Sequence, residues 1–87
     1  MKAVITVIGK DMVGILAKVA TTCAEANANV LEVTQSVLQE YFAMVMLIDV
    51  TEINTDLAGL TAALEKNVTG MKIHVMHEDI FNSMHRI

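Results

Sequence analysis

AVITVIGKDMVGILAKVATTCAEANA, residues 3–28, holds an apolar run, a loop bracketed by Gly9 and Gly14, and an amphipathic run, in that order. Within residues 2–8, the stretch after Lys2 is rich in β-branched residues and apolar at both alternating sets of positions, which suits a central strand. Beyond Gly14 the residues Ile15, Leu16, Val19, Ala20, Cys23 and Ala24 recur at three- and four-residue intervals. They predict a helix whose other side carries Lys18, Thr21, Thr22 and Glu25. Asp11 has the chemistry of an N-cap for that helix, and Asn27 tolerates the left-handed conformation that ends one. A strand feeding a helix through such a loop aims backbone N–H groups at one point, a natural seat for a carboxylate or phosphate.

Outward from this unit, residues 30–38 alternate Leu31, Val33 and Val37 against Glu32, Thr34 and Ser36, the pattern of a half-exposed strand toward an edge. Gln39-Glu40 is a poor tight-turn pair. A reversal must still fall there, because residues 41–50 read as another strand, with Phe42, Met44, Met46, Ile48 and Val50 on one side and Ala43, Val45 and Leu47 on the other. Asn54-Thr55-Asp56 supplies N-cap types for a second helix carrying Leu57, Leu60, Thr61, Leu64 and Val68. Gly70 closes it, and residues 71–77 form the last strand, with Met71, Ile73, Val75 and His77 facing one way. A tail helix follows over 78–86, with Glu78 and Asp79 at its start and His85-Arg86 at its end. It would dock through Ile80, Phe81, Met84 and Ile87. The order predicts an α+β, ferredoxin-like βαββαβ sandwich in one domain, residues 1–87. Its four-stranded antiparallel sheet carries two helices on one face, plus the short C-terminal helix.

The composition narrows the function. Hydrophobic residues make up 54% of the 87 and charged residues 18%, where an ordinary domain has about 25% charged. A domain this small hides only roughly 60–65% of its unfolded surface. Surplus apolar surface on it predicts self-association, as a homodimer or higher oligomer. The net charge is −4, and the aromatics are Tyr41, Phe42 and Phe81 alone, so a basic, base-stacking nucleic-acid surface is excluded. Cys23 is the only cysteine, falls in a helical apolar stripe, and reads as a buried thiol of a reducing, cytoplasmic setting. No apolar run approaches the roughly 20 residues of a membrane helix.

Several activities hosted by this plan leave marks that are missing. An RNA-recognition module needs stacking aromatics on its central strands, where the first strand has none and the third a lone Phe42; the first loop lacks a Cys-x-x-Cys pair, and Arg86 is the only arginine. On a strand His74 and His77 point to opposite faces and do not share a metal ion. No nucleophile–base grouping is visible, so no catalytic residue, metal or cofactor is assigned and the chain reads as a non-enzyme. Met44 and Met46 fill a core or form an adaptable partner surface.

Gly9-Lys10-Asp11-Met12-Val13-Gly14-Ile15-Leu16 resembles the opening of ACT domains, where a strand runs into Asp-x-x-Gly-Ile/Leu and a helix. Asn29-Val30-Leu31-Glu32 is similar to the start of the second ACT strand. The resemblance is to small stand-alone ACT proteins, including a bacterial family that ends in a helix like residues 78–87, and to the ACT units of glycine-cleavage repressor-like regulators. It implies a regulatory domain sensing an amino acid or similar metabolite at an interface between two copies. The implied ligand positions are Lys10, Asp11, Met12, Val13, Gly14 and Ile15 of one copy, with Asn29, Val30 and Leu31 across the interface; Asp11 or Glu32 would meet an ammonium group. The alternative is a protein-binding module without a small ligand, and Gly14 and Asp11 are equally accounted for by packing and capping.

Overall fold

The structure, a computed structural model, describes residues 1–10 and 14–84. The elements are β1 (Lys2–Gly9), α1 (Ile15–Glu25), β2 (Asn29–Leu38), β3 (Tyr41–Asp49), α2 (Leu57–Asn67), β4 (Lys72–His77) and α3 (Glu78–Met84). Every strand pairing is antiparallel, and the sheet order is β2-β3-β1-β4, which leaves β2 and β4 as edges. This is the ferredoxin-like plan that the periodicities predict.

The alternation along each strand sorts the sheet into two faces. Ala3, Ile5 and Val7 of β1 pair with Ile48, Met46 and Met44 of β3, and all six are fully enclosed. They form one core with Ile15, Val19 and Cys23 of α1 and Leu60 and Leu64 of α2. Enclosing a large side chain such as Ile5, Met46 or Leu64 contributes about 1.5–3 kcal/mol. Met44 and Met46 therefore fill the core, and the reading of these two as a partner surface is excluded.

Helix α1 is rotated from the predicted stripe. Leu16 is 41% exposed and Ala24 faces solvent, whereas Thr22 is buried. The hydroxyl is accommodated because Thr22 Oγ1 donates to the Lys18 carbonyl at 2.8 Å and accepts from Asn67 Nδ2 of α2 at 3.0 Å. A buried polar group with both bonds made ties the two helices together.

The punctuation residues act as their chemistry predicts. Asn27 sits at φ 62, and its Nδ2 donates to the Glu52 carbonyl at 2.9 Å. Asn54 Nδ2 answers with a bond to the Glu25 carbonyl, clamping the end of α1 to the loop before α2. Asp56 caps α2 by accepting the Gly59 N–H at 2.7 Å. Leu38 pairs directly with Tyr41, so Gln39-Glu40 is the whole hairpin loop, with Gln39 at φ 57.

The second sheet face carries Val4, Thr6 and Ile8 of β1 beside Leu47, Val45 and Ala43 of β3. Helix α3 crosses one end of it, where Val4 is 4% exposed. Phe81 turns toward this face and Ile80, 55% exposed, turns away, so Ile80 is not part of the docking surface as predicted. One turn of so short a helix presents only one of two adjacent residues to the sheet. The Met84 side chain and residues 85–87, which complete the predicted docking face and basic end, lie outside the described residues. Among the described residues no helix is long and apolar enough to cross a membrane.

Candidate functional site

Gly14 occupies the N-cap position of α1 at φ 72, ψ 2, with no side-chain cap. The predicted capping by Asp11 is thus corrected: the cap position falls three residues later. A left-handed residue there favours glycine, since any L side chain is strained at this φ. A Cβ at Gly14 would meet nothing within 4 Å among the described residues. The first helix bond runs from the Lys18 N–H to the Gly14 carbonyl at 3.0 Å. The N–H groups of Ile15, Leu16 and Ala17 precede it and have no acceptor among the described residues, as first-turn donors lack one within their own helix. These donors and the helix dipole make a positive pole behind Gly14.

The other implied loop positions divide. Ile15 is 5% exposed with its side chain in the core, so only its N–H can serve a ligand. Lys10 is exposed, with Nζ 3.9 Å from Glu40 and 5.7 Å above the Tyr41 ring. Asp11, Met12 and Val13 lie outside the described residues.

Asn29, Val30 and Leu31 stand at the far end of the sheet. Gly9 is level with Phe42 on β3, whereas Asn29 is level with Asp49, seven residues further along. At the rise of a strand that is about 23 Å, so the two halves of the implied site do not meet within one protomer. The register shifts between Val30 and Glu32, placing Leu31 in a bulge on the edge strand, 42% exposed. Glu32 pairs with Leu47 on the face away from α1. Val33 and Val37 remain exposed at 37% and 60% on the helix-covered face.

Elsewhere the chemistry is structural. Burial pushes the Cys23 thiol up to about 11, which keeps it protonated and unreactive. His74 is level with Thr6 and His77 with Ala3, which lie on opposite faces. His77 Nδ1 accepts the Asp79 N–H at 3.2 Å at the start of α3. Asp49 is held below the usual carboxylate range chiefly by the Thr51 hydroxyl, which donates to it at 2.6 Å, and by the Thr51 N–H. Among the described residues no three His, Cys, Asp or Glu side chains are grouped to hold a metal. Two features escaped sequence reasoning: the Thr22–Asn67 link, and a depression under Phe81 on the second sheet face. The apolar second faces of β1 and β3 were the only local sign of the latter.

Comparison with known proteins adds three findings. The family model described as "ACT domain" matches residues 2–78. A UPF0237 protein of Clostridium perfringens is 45% identical over the full length of both chains, and one of Methanococcus maripaludis is 44% identical over 97% of this chain and 96% of its own. Among solved structures, an ACT domain protein from Streptococcus pneumoniae superposes with a TM-score of 0.77 at 35% identity, over 98% of each chain.

Proposed function

The chain belongs to the ACT domain family, and from that premise we propose that it is a stand-alone regulatory domain that senses an amino acid or similar metabolite between two copies of itself. The carrying observation is the start of α1 behind the left-handed Gly14, whose first N–H groups have no acceptor among the described residues. Its N–H groups suit an α-carboxylate, and Lys10 adds a cation on the loop side by its place in the sequence.

The separation of the two half-sites supports the dimer. If two β2 edges pair antiparallel about an axis perpendicular to the sheet, the Asn29 end of one copy comes level with the Gly9 end of the other. An edge of ten residues bearing Leu31, Val33 and Val37, without a proline, is the kind of strand that recruits a partner. The ligand then contacts Lys10, Gly14 and the Ile15 N–H of one copy, with Asn29, Val30 and Leu31 of its partner. Asp11, Met12 and Val13 complete the loop side by their place in the sequence. No catalytic step is assigned, and the unpaired Cys23 supports a cytoplasmic setting.

The test is a thermal-shift panel of the common amino acids at millimolar concentration, with light scattering at micromolar protein. A saturable rise with one amino acid is expected, together with a dimer that Val37→Lys converts to monomer. No rise across the panel rejects the ligand; a monomeric wild type rejects the composite site.

A further inference from the structure

The second sheet face, opposite α1 and the Gly14 loop, carries a site of its own. Between α3 and the sheet lies a slot of about 390 Å³, floored by Thr6, Ala43, Val45 and Met76 and roofed by Phe81. It opens past Ile8 and His74, which also line a broader hollow of about 700 Å³. Lys10, Lys72 and Tyr41 stand around that hollow. The two hollows meet at Ile8 and His74, so an apolar slot adjoins a hollow bearing cationic side chains.

The charges decide what fits. Lys72 and His74 project to this face because they alternate with the buried Ile73, and Lys72 has no ion-pair partner among the described residues. Lys10 is shared with Glu40 at 3.9 Å, a solvent-exposed pair worth little. Among the described residues, Glu65 of α2 is the one carboxylate on the wall of the hollow. An anionic head beside Lys72 meets an unpaired ammonium; a cationic head meets two lysines. The slot is too apolar to hold a fully polar metabolite, and its volume lies within the range of small-molecule sites.

We infer that this depression binds a small monocarboxylate with an apolar tail. The tail lies in the slot under Phe81 and the carboxylate sits at Lys72, beside His74. Apart from Lys10, which borders the hollow, this site shares no residue with the one proposed behind Gly14. Its occupancy therefore does not depend on the amino-acid panel or on the β2 edge.

The experiment titrates the full chain, labelled at methionine methyl carbons, with octanoate, octylamine and acetate up to about 10 mM, the range expected of a ligand of about ten heavy atoms. Octanoate is expected to shift the Met76 methyl saturably, while octylamine and acetate leave it in place. Lys72→Glu should raise the octanoate Kd about fivefold, as for one exposed charge contact. Ala43→Leu, which fills the slot from the floor, should abolish the shift while the remaining methyl resonances stay folded. No Met76 shift, equal shifts by octylamine, or uniform movement of all methyls as in detergent action would each overturn the inference. So would a Met76 resonance that moves on dilution without ligand, the sign that a second copy covers the face. Gly14→Leu should bind octanoate as the wild type does, which separates this site from the other.

Discussion

Replacing Gly14 tests the conformation at the head of α1 and the proposed site together. At φ 72 an alanine incurs the left-handed penalty of about 1–2 kcal/mol. About 0.5–1 kcal/mol of it is offset by the smaller backbone entropy lost on folding. Because an added Cβ meets nothing within 4 Å, no steric cost is added. The net is a destabilisation of about 1 kcal/mol. For 87 residues the unfolding entropy is about 0.18 kcal/mol per degree, so Gly14→Ala should lower Tm by about 5–6 °C. Gly14→Leu should fall by a similar amount, since the space is open, and Gly14→Asn by less, since asparagine tolerates this region. Circular-dichroism melting reads all three. With the amino acid selected by the panel at about 100 times its Kd, the wild type should gain about 2.7 kcal/mol, or about 15 °C on the same scale. Gly14→Leu should keep the fold and lose that gain, because its side chain fills the approach to the N–H groups. An Ala variant that melts with the wild type refutes the conformational argument. A Leu variant that retains the full ligand shift refutes the site.

Four further outcomes are expected. Thr22→Val should cost about 1 kcal/mol by urea unfolding, because it removes the bond from the Asn67 amide; in a double-mutant cycle with Asn67→Ala the two losses should not add. Gln39→Gly should raise Tm by about 3–5 °C, since the two-residue hairpin holds Gln39 left-handed at φ 57, and an unchanged melt would refute that strain. Asp49 titrates below an ordinary aspartate, so its contribution to stability is present above the unfolded pKa and is lost as pH falls through the folded one; Thr51→Ala should move its carboxyl resonance midpoint upward. The Cys23 thiol, raised from 9.0 to about 11, should resist thiol reagents in the native chain and react on unfolding; stability should decline as pH rises from about 9 to 11, where the unfolded thiol ionises first.

How much of this was legible before folding differs by element. The strands β1 and β3, the end of α1 at Asn27 and the Asp56 cap of α2 follow from chemistry within a few residues, and all stand where the sequence places them. The relation between Gly14 and the helix was legible only in outline. Both Asp11 and Gly14 have cap chemistry, and the backbone turn at Gly14 decided which holds the cap position. The candidate site was legible as two short segments. Their separation by most of the sheet's length was not, because it depends on strand order and register.

What the sequence determined by itself is the list of elements, the ferredoxin-like order and the apolar face of each strand, because period and capping are local properties. Tertiary structure decided which side of each helix is inside. An apolar stripe on α1 leaves a choice of rotation, and the donor from Asn67 drew Thr22 inward while Leu16 turned to solvent. It also decided that α3 crosses the second sheet face on Phe81 and leaves a slot beside a mouth holding Lys72. It placed the loop behind Gly14 and the strand start at Asn29 at opposite ends of the sheet. These relations join residues distant in the chain, and no local pattern encodes the distance between them.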